Sequence, residues 1–328
     1  MISHCPKVPT SAMQITLDLS KFVRGIARRV SNFLMFTLLL GIATLNLAYA
    51  QSVTATVAAG RGPTTVAINP VTNKIYVANF ASNDVTVIDG ATNTVVTTVT
   101  AGISPTAIAI NPVTNKIYVA NQHSRNVTVI DGATDTLVTT VAADEGPNAV
   151  AINPVTNKIY VANRFSNNVT VIDGATNNTT TVAATAEPRA VAINPVTNQI
   201  YVANQFDDNV TVIDGATNSV TNVRAGRGPN AVAINPVTNK IYVANQNSND
   251  VEVIDFAINS FETVAAGTNP IAVALNPVTN KIYVANYSSN DVTVIDGATD
   301  TVVTTIAVGT NPTAVAINPV TNKIYVAN

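Results

Sequence analysis

The chain has 328 residues, and only 11% of them are charged against the roughly 25% usual for soluble domains, so Thr and Asn do most of the solvating. A single cysteine, Cys5, excludes a disulfide framework and zinc held through sulfur. A net charge of −2 disfavours a broad basic surface for nucleic acid or anionic lipid.

The first element stands apart from the rest. Lys21, Arg24, Arg28 and Arg29 precede an apolar run at 33–48, and Ala48-Tyr49-Ala50 is followed by Gln51. A positive flank, a short apolar core and a small-x-small site read as a signal peptide spanning 1–50 and cleaved after Ala50. The apolar run falls short of the ~20 residues that cross a bilayer. Cleavage removes five basic residues, Asp18 and the only thiol, leaving 12 Lys and Arg against 18 Asp and Glu, a net charge of −6. The expected location is outside the cytoplasm: periplasmic, cell-surface or secreted.

Residues 51–328 are a repeat array. Asn-Pro-Val-Thr-Asn begins at Asn69, Asn111, Asn153, Asn194, Asn235, Asn276 and Asn318, in steps of 42, 42, 41, 41, 41 and 42. A period near 40 filled with short β-type segments predicts a propeller. In the first unit, residues 62–102, four β-branched or aromatic-rich runs fall at 65–68, 74–78, 84–88 and 94–99. Asn-Pro-Val-Thr-Asn joins the first two, with proline presetting φ and the final Asn tolerating a left-handed conformation. Asp89-Gly90-Ala91-Thr92-Asn93 joins the last two, where the aspartate is expected to cap the turn and the glycine to supply positive φ. The unit therefore reads as a four-stranded antiparallel meander. Its strands are apolar on both faces, which calls for cover on both sides, and the seven tyrosines equivalent to Tyr76 are expected to pack between blades.

The Ile-Tyr-Val-Ala-Asn runs, each followed by Val-Thr-Val-Ile-Asp or a near copy, resemble the YVTN-repeat β-propellers of bacterial and archaeal envelopes. The resemblance covers 52–328, with Ala in place of the motif's second-last Thr, as at Ala78 and Ala120. It implies a seven-bladed ring, and the seven turns agree. The expected fold is all-β: a seven-bladed β-propeller of four-stranded antiparallel meanders with an incomplete last blade. The last unit stops at Asn328 after its second strand, while 52–59 matches a fourth strand, so one strand has no counterpart and truncation is the favoured explanation.

Two sets of connections emerge on each face. One set repeats Asn-Pro-Val-Thr-Asn and Asp-Gly-Ala-Thr, broken only at Asp255-Phe256-Ala257-Ile258, and the other set varies. All six arginines after the leader fall in or beside the variable loops, whereas all six lysines sit on the invariant side. Arginine's fork of donors suits carboxylate, phosphate or aromatic recognition, so the variable face is the candidate binding surface. Its candidate residues are Arg61, Phe80, Arg125, Arg164, Phe165, Arg189, Phe206, Arg227 and Tyr287. Loops also vary merely because they tolerate change.

No catalytic residue, cofactor or metal site is expected. His123 is the only histidine after the leader, and its loop offers no evident partner. No nucleophile elbow, paired-histidine zinc motif or phosphate loop is present. The chain has no Trp on which a quinone could stack. The expected role is a non-enzymatic binding or scaffold module for a protein, glycan or cell-wall component. A lactonase-like hydrolase at the funnel mouth and a nucleic-acid-binding propeller are the alternatives, the acidic net charge disfavouring nucleic acid as a partner.

Overall fold

The protein is described by a computed structural model covering residues 56–318 and 322–328. The expected leader, residues 1–50, lies outside the described residues, as do 52–55 of the expected N-terminal strand. Residues 56–59 belong to no strand. The unit Ala55–Asn328 contains six four-stranded sheets and one of two strands, and no helix occurs among the described residues.

Blade 1 is built from Pro63–Asn69, Lys74–Asn79, Asp84–Asp89 and Thr94–Thr100, paired antiparallel in chain order. Blades 2 to 6 repeat this meander. Among the described residues blade 7 holds only Ala314–Asn318 and Lys323–Ala327, in keeping with the expected incomplete last blade. First strands of successive blades are neighbours, which places them on the inner edge and the fourth strands on the outer edge.

First strands begin earlier than their apolar runs, at Pro63, Pro105, Pro147, Pro188, Pro229 and Pro270. Proline lacks an N–H and is tolerated at the first position of a strand. The next residue is bulged out of register in each case, Thr64 and Arg189 among them. A bulge re-aims a side chain. Thr64 and Thr106 use that freedom to donate to the carbonyls of Pro105 and Pro147 in the following blade, each at 3.0 Å.

The seams between blades form the core. Tyr76, Val85, Val87 and Val99 of blade 1 close over Ile117, Val119 and Ile130 of blade 2, and comparable clusters join every consecutive pair through blade 7. Each large side chain removed from water in such a seam contributes about 1.5–3 kcal/mol. The tyrosines are packing residues, as expected, in six blades. Tyr325 is 46% exposed, because among the described residues only two strands of its blade are present. Val66 and Ile68 of blade 1 are likewise exposed, whereas their counterparts Ile108 and Ile110 pack against the preceding blade.

Asparagines carry polar ties through this apolar stack. The Asn69 amide donates to Asn115 Oδ1 of the next blade at 2.7 Å, while its own Oδ1 accepts from Val71 N–H at 2.9 Å. The same link recurs from Asn111 to Asn157 and onward to Asn276 with Asn322. These donors are fully or almost fully buried, where an unpaired amide would be costly.

The turns follow the expected chemistry with one correction. Asn73 has φ of 55°, as the left-handed reading requires, and Asp89 Oδ1 accepts from Ala91 and Thr92 N–H, both at 2.8 Å. Gly90, however, does not supply positive φ; Asn93 does, at 55°. The glycine is required by proximity instead. A Cβ at Gly90 would lie 2.5 Å from the Asn73 carbonyl oxygen, to which Gly90 N–H donates at 2.9 Å. In blade 5 Phe256 replaces this glycine and its ring lies 5.6 Å from that of Tyr201.

Candidate functional site on the variable loops

Backbone hydrogen bonds confirm which loops share a face. Gly90 N–H meets Asn73 on the invariant side, while Phe80 N–H donates to Gly62 O at 2.8 Å on the variable side. The pairing recurs as Arg164 N–H to Gly146 O and Gln246 N–H to Gly228 O, both at 2.8 Å. The variable loops are thus held two by two on a β frame, a suitable mount for recognition.

Blades 3 to 5 gather the densest polar group on this face. The Arg164 guanidinium donates through Nε and Nη2 to the two carboxylate oxygens of Glu187, each at 3.1 Å. Arg189 Nη2 lies 3.2 Å from Glu187 Oε2, and its Nε donates to Gln205 Oε1 at 2.8 Å. Gln205 passes the chain to Gln246 Oε1 at 2.8 Å. The guanidinium carbon of Arg164 stands 5.2 Å from the centre of the Phe165 ring, within cation–π reach. Burial and the nearby Arg164 pull the Arg189 guanidinium below its ordinary range, and Glu187 offsets part of that. The group stays charged, as guanidinium does in proteins.

The geometry explains why these residues meet. Arg189 is the bulged residue of its strand, so its side chain leaves the sheet toward the loops. Glu187 has φ of 54°, at a position where other blades place Gly62, Ser104, Gly146, Gly228, Asn269 and Asn311. A left-handed glutamate costs about 1–2 kcal/mol. Such strain is tolerated where the surrounding structure holds it, and here it sets a carboxylate between two arginines.

The remaining candidates are dispersed. Arg125, itself left-handed at φ 53°, pairs with Glu145. Phe80 is half-buried and meets His123 edge-on, with ring centres 6.0 Å apart, so the histidine has an aromatic neighbour. Phe165 and Phe206 are exposed, whereas Tyr287 is half-buried. Of the four candidate aromatics, two therefore face solvent and two are partly covered. Arg61 and Arg227 are exposed, with no carboxylate within 4.0 Å among the described residues.

A cleft of about 560 Å³ escaped the sequence reading. It lies between the outer strand of blade 4, Val220–Arg224, and the last two strands of blade 5, Asp250–Asp255 and Ser260–Ala265. Asp208, Arg224, Arg227, Asp250, Glu252 and Phe261 line it. A signal was present in the repeats: Glu252 stands in Val-Glu-Val-Ile-Asp where the other five third strands read Val-Thr-Val-Ile-Asp. Burial raises the Glu252 carboxyl above its usual range.

Among solved structures, the chain is similar to the hydrazine synthase of Kuenenia stuttgartiensis at 19% identity and a TM-score of 0.68, covering 84% of this chain and 99% of that one. At that identity the likeness shows the fold alone. A search of the curated proteins finds no match. The family model for the YNCE-like beta-propeller matches residues 2–318, in keeping with seven turn repeats and sequential four-stranded sheets. The chain belongs to the YNCE-like β-propeller family.

Proposed function

We propose that this protein is an exported β-propeller acting as a binding module, whose variable face holds a protein, glycan or cell-wall ligand. The observation that carries the reading is the unequal use of the two faces. Arginines, the exposed rings of Phe165 and Phe206 and the strained Glu187 lie on one side, while the other repeats its turns almost unchanged. Arg125, Arg164 and Arg189 are already paired with face carboxylates, which favours a ligand that exchanges individual hydrogen bonds over one that neutralises a long row of phosphates.

Retention of isolated cell envelopes and of a glycan array by the purified protein tests this. Replacing Arg164 and Arg189 together by Ala should weaken retention about tenfold, as removal of central arginines does at other interfaces. Retention equal to the parent's would refute the assignment of this face. Export is tested separately: protein recovered outside the cytoplasm should begin at Gln51, and a chain recovered only inside the cell with its first fifty residues intact would refute it.

A further inference from the structure

We propose that the cleft between blades 4 and 5 binds a carboxylate-bearing sugar, such as one residue of a polyuronate chain. This rests on the reading of the variable side as a binding surface and names a ligand class for one part of it. Three departures from a nearly uniform repeat converge here. Arg224 pairs in register with Asn209, where the other blades place Thr100, Ala142, Ala183, Ala265 and Ala307. Glu252 replaces the threonine found at Thr86, Thr128, Thr170, Thr211 and Thr293. Phe261 takes the place of Val95, Leu137, Thr179, Val220 and Val302, and is 46% exposed.

One departure also removes a bond that the fold uses elsewhere. The Asn79 amide donates both to Asp84 Oδ1 at 2.6 Å and to Thr86 Oγ1 at 2.9 Å, and this pair recurs in blades 2, 3, 4 and 6. In blade 5 the Asn245 amide keeps only Asp250, at 2.7 Å. A substitution that forgoes a buried hydrogen bond and leaves a carboxyl partly buried is unfavourable for the frame alone.

The chemistry of the lining selects the ligand. Arg224 and Arg227 make no salt bridge within 4.0 Å among the described residues, and although Arg224 acts on the Glu252 carboxyl from a greater distance, neither fork is engaged by a carboxylate at hydrogen-bond range. The acidic side chains are already engaged: Asp208 accepts from Gly228 N–H at 2.8 Å, Asp250 from Asn245, and Glu252 from Thr263 at 3.2 Å. Their spare lone pairs suit the hydroxyls of the sugar that carries the carboxylate. The exposed Phe261 ring offers a flat apolar surface for the C–H face of a sugar, and the volume lies within the range of small-ligand sites.

Calorimetric titration of the protein with tri-galacturonate and with neutral maltotriose provides the test. Tri-galacturonate should bind, and maltotriose should bind about tenfold more weakly. The substitutions Arg224→Ala, Glu252→Thr and Phe261→Val restore residues with which other blades already fold. Each should weaken tri-galacturonate about fivefold or more, and Arg224→Ala should erase the preference for the acid. Absence of tri-galacturonate binding, or parental binding in the triple variant, overturns the proposal. Envelope retention separates the two levels. If it falls in Arg164→Ala/Arg189→Ala while tri-galacturonate fails to bind, the face stands and the cleft assignment falls. If neither binding is seen, both fall.

Discussion

The seam between blades 1 and 2 allows a worked test of how repeat turns lock neighbouring blades. Asp135, in the last turn of blade 2, accepts from the Tyr76 hydroxyl at 2.8 Å and lies 2.5 Å from Lys74 Nζ. Burial, and then the Asp135 carboxylate, push the Tyr76 hydroxyl far above its usual range, so it remains a neutral donor. Blades 3 and 4 carry Asn177 and Asn218 at the same place, and there the Tyr118 and Tyr160 hydroxyls have no protein partner among the described residues. Asp135→Asn therefore converts one seam into a kind the protein already contains, without disturbing a left-handed turn that Asn adopts readily. It exchanges a hydrogen bond to a charged acceptor, worth about 1.5–3 kcal/mol, for a neutral bond or none. The Lys74 side chain is 19% exposed and can turn to a carbonyl, as Lys158 does toward Gly215 at 2.8 Å, so the penalty stays below that of a stranded buried charge. The expected loss is about 2 kcal/mol. Urea unfolding followed by tyrosine near-ultraviolet dichroism measures it, and a cycle with Tyr76→Phe should show coupling of about 1 kcal/mol. The reverse change, Asn177→Asp, should stabilise the seam formed by Lys116 and Tyr118. Unfolding of Asp135→Asn at the parental urea concentration, or strict additivity in the cycle, would refute the reasoning.

Turn aspartates predict an acid limb. Asp89, Asp131, Asp173, Asp214 and Asp296 are held below the usual carboxylate range, chiefly by N–H groups of their own turns. A depressed folded-state value means stability present above the unfolded-state pKa and lost as pH falls through the folded one. The thermal midpoint should be level from about pH 7 to 5 and decline below about pH 4; a midpoint unchanged at pH 3 would contradict this. Gly132→Ala should cost about 1–3 kcal/mol through crowding, since its Cβ would lie 2.4 Å from Asn115 Oδ1 with no positive φ involved. Urea unfolding at the parental midpoint would show that the Asn115 side chain gives way and that crowding does not require the glycine. Asn153→Ala removes the donor to Asn198 Oδ1 at 2.8 Å and the acceptor for Val155 N–H at 3.0 Å, for an expected loss of about 2 kcal/mol. Hydrogen exchange should quicken at the turns of blades 3 and 4; unchanged protection there would show that the asparagine chain does not hold the blades.

The frame was legible because its causes are local. Runs of Val, Ile, Tyr and Thr favour strands, Pro and Asn mark the turns, and a fixed period requires each thin sheet to bury itself against its neighbours. The capping aspartates and the left-handed Asn73 could be read from five-residue windows. Gly90 could not, because the atom that forbids a side chain there belongs to Asn73 in a different turn. The sites required contacts between blades. Glu187 lies between Arg164 and Arg189 only when one loop packs on the next, and Arg224 reaches the cleft of Glu252 and Phe261 only when two repeats stand side by side. By itself the sequence determined the period, the strands and the turns, all of which depend on neighbours along the chain. Tertiary structure alone decided which charges cancel, which aromatics are covered and where the departures from the repeat converge, because those depend on residues brought together by stacking.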